Sequence, residues 1–159
     1  MYLFWLGIGV LLLIAYASFA GAPWVPARKR DTDALIDNLS IKKDTIVYEL
    51  GCGDGRLVAA LAAKGGQVYG FEINPLLWLI AYTRCLKYKN AHIYLRDFWR
   101  SDFGKADIVV AFLFARTIER LENKAKRELK KGSWLASYVF ALPHIKPHKT
   151  KKPWYFYHF

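Results

Sequence analysis

The sequence contains few cysteines, and this shortage excludes two classes of small protein. Cys52 and Cys85 are the only two among 159 residues, and neither belongs to a C-x-x-C pair. A disulfide scaffold and a cysteine-ligated zinc site are therefore not expected. The histidines lack a metal-ligand spacing on one element, since Pro147 lies between His144 and His148 and would interrupt a helix there. We predict no metal site.

Acidic residues are also scarce. The chain has 13 Asp and Glu against 24 Lys and Arg, which gives a formal net charge of +11. A surface with this balance can attract nucleic acid, anionic lipid or an acidic protein, or can be a well-solvated face without a partner. Charge alone does not choose among these.

Residues 2–22 lack charged side chains altogether. As a helix this run would span about 31 Å, close to the thickness of the hydrocarbon core of a bilayer. Basic residues at 28–30 follow it, and flanking positive charge stays on the cytoplasmic side. We predict a single-pass membrane anchor at 1–22, with the body, residues 23–159, on the cytoplasmic side. A cleaved signal peptide is the alternative, which the absence of Lys and Arg before the run disfavours.

The body alternates apolar, β-branched runs with helical patterns. Strands are predicted at 45–50, 67–71, 91–95, 106–114 and 133–142, and helices at 31–39, 56–64, 76–88 and 117–129. The aromatic run 153–159 predicts a final strand. This alternation indicates an α/β fold of Rossmann-like type, with a mainly parallel sheet and helices on both faces. Ligands of such sheets bind at the carboxyl ends of the strands.

Three alternating glycines follow the first predicted strand, in the segment E-L-G-C-G-D-G at 49–55. Glycines allow a tight turn and a close approach of the backbone to a ligand. The spacing departs from the dinucleotide-binding pattern G-x-G-x-x-G, because Arg56 occupies the place of the third glycine. Glu49, two residues before the first glycine, suits a ligand with a positively charged ammonium group.

Two acidic residues follow the next predicted strands. Glu72 ends the second strand, where a carboxylate can accept both hydroxyl groups of a ribose. Asp97 follows the third strand, and its oxygen can accept a hydrogen bond from an adenine amino group. Phe98 or Trp99 can provide an apolar wall for the ring.

Together these motifs resemble class I methyltransferases that use S-adenosylmethionine (SAM). They are V-Y-E-L-G-C-G-D-G-R at 47–56, G-F-E-I-N-P at 70–75 and R-D-F-W at 96–99. Within that superfamily the chain is similar to the small lysine methyltransferases of the ATP synthase c subunit and the adenine nucleotide translocase, with their prokaryotic relatives. Those proteins also carry an N-terminal hydrophobic segment and then P-x-V-P, here at 23–26. The resemblance implies a class I methyltransferase fold, SAM as cofactor, S-adenosylhomocysteine as product, and a set of cofactor-binding residues: Glu49, Gly51, Cys52, Gly53, Asp54, Gly55, Glu72, Ile73, Asn74, Asp97 and Phe98.

The resemblance also implies N-methylation of a lysine, and the anchor favours a membrane protein as substrate. Pro26, Phe112 and Phe114 are candidates for the acceptor pocket, and the sequence identifies no general base. Two alternatives stay open: an RNA or small-molecule acceptor held by the basic C-terminal part, and a SAM-binding membrane protein without activity. The C-terminal part is short for this family, so we expect the sheet to lack a complete last hairpin.

Overall fold

The computed structural model describes residues 1–2, 4–5, 7–9 and 28–159. The body begins with α1 (Lys29–Asn38), β1 (Ile46–Leu50), α2 (Arg56–Ala63), β2 (Gln67–Glu72), α3 (Pro75–Cys85) and β3 (Ala91–Leu95). A 3-10 turn at Phe98–Arg100 then leads to β4 (Ile108–Ala111), α4 (Ala115–Glu128), β5 (Trp134–Tyr138), β6 (Lys149–Lys151) and β7 (Trp154–His158).

The strands of residues 28–159 form one sheet in the order β3-β2-β1-β4-β5-β7-β6. From β3 to β5 all neighbours are parallel, whereas β7 runs antiparallel to both β5 and β6. The direction of winding changes between β1 and β4, and the loops after these strands leave to opposite sides of the sheet. This switch point is where α/β sheets bind ligands. The predicted mainly parallel α/β fold is confirmed.

Alternate residues along β1 belong to the two cores on opposite faces of the sheet. Val47 packs in a cluster with Leu35 of α1 and Leu61 of α2. Tyr48, one residue later, packs in the other cluster, which includes Leu121 of α4. A strand buried on both faces has no polar alternation, and this explains why every residue of β1 except Glu49 is apolar or aromatic. The two cores hold the loop after β1 at the edge of the sheet.

Two strands are shorter than the sequence predicts. The prediction for β4 is 106–114, but its pairing ends at Ala111, opposite Leu50 of β1 and Ser137 of β5. Residues 112–114 leave the sheet because α4 begins at Ala115. The prediction for β5 is 133–142, but the strand ends at Tyr138, since Val139 has φ of 66° and cannot continue an extended strand.

The expectation of an incomplete last hairpin is wrong. β6 and β7 form an antiparallel pair that closes the edge of the sheet beside β5. Trp154 and Phe156 of β7 are almost fully buried and join the core beneath α1. β6 consists of Lys149, Thr150 and Lys151, which are all exposed. The sequence therefore has no apolar pattern that would predict this strand.

The predicted membrane anchor falls largely on residues outside the described ones. Residues 3, 6 and 10–22 of it are not described, and neither is Pro26. Among the residues that are described, no helix has both the length and the apolar character needed to cross a bilayer.

Candidate active site

The loop after β1 crosses the carboxyl end of the sheet in a conformation that requires glycine. Gly51, Gly53 and Gly55 have φ of 73°, 55° and 74°, values that residues with a side chain rarely adopt. A Cβ built on Gly51 would have no atom within 4 Å, so this glycine faces open space. A ligand can therefore approach the backbone closely at Gly51.

Gly55 and Cys52 face the protein instead. A Cβ on Gly55 would lie 2.8 Å from both Cα and Cβ of Ala81, so this glycine lets α3 pack against the loop. The Cys52 side chain is buried, and its Sγ would lie 2.9 Å from a Cβ on Gly70. Burial raises the pKa of the Cys52 thiol well above its ordinary value, with a smaller contribution from Glu49. The thiol therefore acts as a small apolar group, and only the backbone of Cys52 is available to a ligand.

The Glu72 carboxylate fixes the shape of this loop from the neighbouring strand. Its Oε2 accepts a hydrogen bond from the Gly53 N–H at 2.9 Å. Its Oε1 accepts from the N–H groups of Ile73 and Asn74 at 2.9 and 2.8 Å. An ionised carboxylate offers about four acceptor positions, so one remains for a ligand hydroxyl. The amide network was not anticipated from the sequence, and the ribose contact stays a prediction.

Glu49 is a buried carboxylate with an unpaired oxygen. The residue is 7% exposed, and its Oε2 has no hydrogen-bond partner within the described part of the chain. Burial, reinforced by the negative charges of Asp54 and Glu72, raises the pKa of Glu49 well above the usual range. A buried carboxylate without a counter-charge is unfavourable, and a cationic group of a ligand would relieve this. The orphaned oxygen thus fits the predicted ammonium group.

Asp54 is held by two arginines. Its Oδ2 accepts from Arg56 Nη2 at 2.7 Å and from Arg84 Nη2 at 3.0 Å. Burial opposes ionisation of Asp54, but the Arg56 hydrogen bonds and the Arg84 charge outweigh it and lower the pKa of the carboxyl group. Because Arg84 belongs to α3, the side chain of Asp54 joins the loop to that helix. Because its side chain is occupied in this way, Asp54 can contact a cofactor only through its backbone.

Two of the predicted cofactor-binding residues line one open groove beside the ends of β2 and β3. The groove has a volume of about 600 Å³ and is lined by Ile73, Leu95, Arg96, Asp97 and Arg100. Asp97 Oδ1 also accepts the Trp99 N–H at 3.0 Å, which begins the 3-10 turn. The structure thus brings Ile73 and Asp97 together, as a shared nucleoside site requires.

The other two predicted residues at these strand ends have structural contacts. The Asn74 side chain caps α3 and accepts from the N–H groups of Leu76 and Leu77. Phe98 packs beside Trp99, with ring centroids 4.6 Å apart, and both border the core on the α4 side of the sheet. Asn74 therefore sets the start of α3, directly after Glu72.

Phe112, a predicted acceptor-pocket residue, lies at the carboxyl ends of β4 and β5. Its ring meets Tyr138 edge-on, with centroids 4.1 Å apart. The Tyr138 hydroxyl donates a hydrogen bond to Asp31 of α1 at 2.6 Å, and burial together with this bond raises the pKa of Tyr138 to about 12. Sequence reasoning missed the pair of Tyr138 and Asp31, which are 107 residues apart. The sequence feature that could have pointed to this pair is the aromatic residue at the end of β5, Tyr138.

The residues after β5 are strained and apolar. Val139, a β-branched residue, has φ of 66° and is 47% exposed, and Phe140 is 36% exposed. A left-handed backbone conformation is rare for a β-branched residue, and where it occurs it is typical of functional loops. Phe114, the other predicted acceptor-pocket residue, lies at the start of α4, and the Arg116 guanidinium is 5.7 Å from the centre of its ring. The surroundings of Phe112, where the acceptor pocket is predicted, are therefore aromatic.

Comparison with known proteins establishes the family. The sequence model of the ANTKMT methyltransferase domain matches residues 49–149, from the glycine loop to β6. The chain belongs to the ANTKMT methyltransferase family. The predicted family is thereby confirmed, and the match includes Glu49, Glu72, Asp97 and Phe112.

Relatives of known activity extend this result. A protein-lysine N-methyltransferase of Saccharolobus islandicus is 32% identical over 136 residues, which are 82% of this ANTKMT family chain and 84% of that protein. The lysine N-methyltransferase of the ATP synthase c subunit from Rattus norvegicus is 32% identical over 133 residues, 80% of this chain and 60% of that protein. The chain spans 53–60% of the length of the mammalian proteins of that name that it matches.

Solved structures share the fold. An RNA methyltransferase of Salinibacter ruber, in complex with S-adenosylhomocysteine, matches with a TM-score of 0.78 at 23% identity, over 84% of this chain and 93% of that one. At this identity the likeness concerns the methyltransferase fold. The open face of Gly51, the unpaired Glu49 oxygen and the Glu72 carboxylate fit a ligand that has both an ammonium group and a ribose, as SAM does.

Proposed function

We propose that this chain transfers a methyl group from SAM to the lysine side-chain amine of a protein. The observation that carries the proposal is the unpaired Glu49 oxygen, two residues before the open backbone of Gly51 and at the switch point of the sheet. Membership of the ANTKMT family supports the reaction, as do relatives named protein-lysine N-methyltransferases. SAM, when bound, supplies an electrophilic methyl group on a positively charged sulfur.

The chain's own residues would hold the cofactor along the ends of β1, β2 and β3. Glu49 would meet the ammonium group, which explains why one oxygen of this buried carboxylate is unpaired among the described residues. Glu72 would accept a ribose hydroxyl at the one acceptor position left by its three amide contacts. Asp97 and Ile73, in the adjoining groove, would receive the adenine. Binding at several fixed points aligns the methyl group, and alignment is the main contribution an enzyme makes to such a displacement.

The acceptor amine must lose a proton before it can attack. For a lysine with the ordinary pKa of about 10.4, this costs about 4.6 kcal/mol at pH 7. Apolar surroundings lower that cost, because desolvation disfavours the charged ammonium form. Phe112 and Tyr138 provide such surroundings at the ends of β4 and β5, and the exposed Val139 and Phe140 extend them outward. We therefore place the lysine side chain there.

The apolar run at 2–22 supports a single-pass membrane anchor with the body on the cytoplasmic side. Confinement to a bilayer raises the effective concentration of any substrate in the same membrane. A protein with a lysine near the cytoplasmic surface is thus the substrate class that we infer.

Transfer of a radiolabelled methyl group tests the proposal. The full chain, its Glu72→Ala variant and its Glu128→Gln variant would each be incubated with labelled SAM, membrane fractions and total RNA. Glu128 is the matched control, since its carboxylate also accepts a backbone N–H, that of Phe103 at 3.2 Å, but far from the loop. We expect label in a membrane protein, on lysine by mass spectrometry, with Glu128→Gln active and Glu72→Ala inactive. Label in RNA alone, or binding of SAM without any transfer, would refute a protein-lysine methyltransferase and favour the corresponding alternative.

A further inference from the structure

Helix α3 exposes an apolar face that nothing in the described chain covers. Ala81 and Cys85 form its inward side and are 0% and 3% exposed. The outward side, called the α3 face below, consists of three residues on one side of the helix and the C-cap residue that follows it. They are Leu76, Leu79, Ile80 and Leu86, with exposed fractions of 47, 50, 38 and 64%.

The fold itself does not require this surface. A helix that packs on one side against a sheet normally carries polar residues on the other. Helix α4, on the opposite face of the same sheet, follows that rule. Its outward residues include Arg116, Glu119, Arg120, Asn123 and Arg127. Contiguous apolar exposure of the kind seen on α3 marks a contact with a protein or a membrane.

The surroundings of the α3 face are basic. Residues 73–96 contain Arg84, Lys87, Lys89 and Arg96 and no acidic residue. Arg84 is paired with Asp54, at 3.0 Å from Nη2 to Oδ2, so part of its charge is balanced. Lys87 and Lys89 are exposed directly after the helix. The exposed Tyr82 adds an aromatic ring with a polar tip, which suits the boundary between water and lipid.

We propose that the α3 face docks on an anionic lipid surface, with its leucines at the headgroup–acyl boundary and Lys87 and Lys89 among the headgroups. Apolar residues on one side of a helix, bordered by Lys and Arg, characterise helices that lie in a membrane interface. A protein partner fits less well, because Lys is depleted from the cores of protein interfaces. The docking goes beyond the proposed activity and does not depend on the acceptor. Because α3 starts three residues after Glu72, it would hold the cofactor site next to the membrane.

A fluorescent probe at a single position tests the docking in the full chain, whether or not residues 1–22 also bind lipid. Cys52 and Cys85 are buried, so an environment-sensitive dye would label an introduced Leu79→Cys. Asn123→Cys, exposed on α4, is the matched control. Each labelled protein would be bound to phosphatidylcholine vesicles with or without phosphatidylserine, including phospholipids with a nitroxide on the acyl chain.

We expect blue-shifted emission and several-fold stronger nitroxide quenching at position 79 than at position 123, in vesicles that contain phosphatidylserine. A Lys87→Glu, Lys89→Glu double variant should lose most of that difference, since it removes the attraction to anionic headgroups. Equal quenching at the two positions on vesicle-bound protein would overturn the proposal. So would a blue shift at position 79 that arises without lipid and disappears on dilution, which would indicate a second copy of the chain on the α3 face.

Discussion

The Glu72 carboxylate accepts a hydrogen bond from the Gly53 N–H at 2.9 Å, and this contact joins the end of β2 to the glycine loop after β1. The same carboxylate accepts the N–H groups that lead into α3. One side chain thus sets the loop, the start of a helix and the predicted ribose contact. Loss of Glu72 should therefore affect cofactor binding more than loss of any other carboxylate in the chain.

Gly51 and Gly132 provide a matched pair of substitutions. Both have positive φ, 73° and 87°, and a Cβ on either would meet no atom within 4 Å. Each change to Ala should therefore destabilise the fold by a similar amount, about 1–2 kcal/mol, from backbone conformation alone. Gly51→Ala should in addition weaken SAM binding at least tenfold, about 1.4 kcal/mol, because its methyl group enters the predicted site. Urea denaturation and calorimetry measure the two effects. Equal SAM affinity in the two variants would place the cofactor elsewhere.

Glu49→Gln should stabilise the ligand-free protein at pH 7 while weakening SAM binding. The folded-state pKa of Glu49 is raised above the ordinary 4.5, so at pH 7 folding must bury a carboxylate that prefers to be protonated. Removing the charge relieves this cost, and the gain should shrink as pH falls toward 4.5, where the native side chain is protonated as well. Thermal denaturation of both proteins between pH 7 and 4.5 tests whether the variant is the more stable one. A lower melting temperature at pH 7 with unchanged SAM affinity would show that Glu49 has another role.

Tyr138 should make the free energy of unfolding decrease at alkaline pH. Its pKa is raised from 10 to about 12 in the folded protein, so the phenol stays protonated there after it has ionised in the unfolded chain. The contribution is complete below pH 10 and is lost as pH rises from 10 to 12. Tyr138→Phe should accordingly show a shallower decline of unfolding free energy over that interval. The same slope in both proteins would mean that the bond to Asp31 does not persist in solution.

Much of the fold and of the cofactor side of the site could be predicted because their signals are local. The glycines at 51–55 stand directly after a β-branched strand, and Glu72 directly ends the next one. The contacts around Phe112, on the proposed acceptor side, could not be predicted in the same way. The bond between Tyr138 and Asp31 joins residues 107 apart, and it exists only because α1 packs over the last hairpin.

The errors in strand length have a related cause. Residues 106–114 are apolar enough to continue a strand, but the pairing of β4 ends at Ala111 with its neighbours. A strand's end is set by its partners in the sheet, which a single run of residues does not reveal. For β6, whose Lys-Thr-Lys sequence is fully exposed, backbone pairing with β7 alone makes the strand.

Calorimetric binding of SAM and S-adenosylhomocysteine to the full chain tests the proposed cofactor site most directly. The Glu72→Ala and Glu128→Gln variants would be measured alongside, with circular dichroism to verify that each is folded. We expect micromolar binding of both ligands to the native chain and to Glu128→Gln, and none to a folded Glu72→Ala. Absence of binding to the native chain, or undiminished binding to Glu72→Ala, would contradict a SAM site at the ends of β1 and β2.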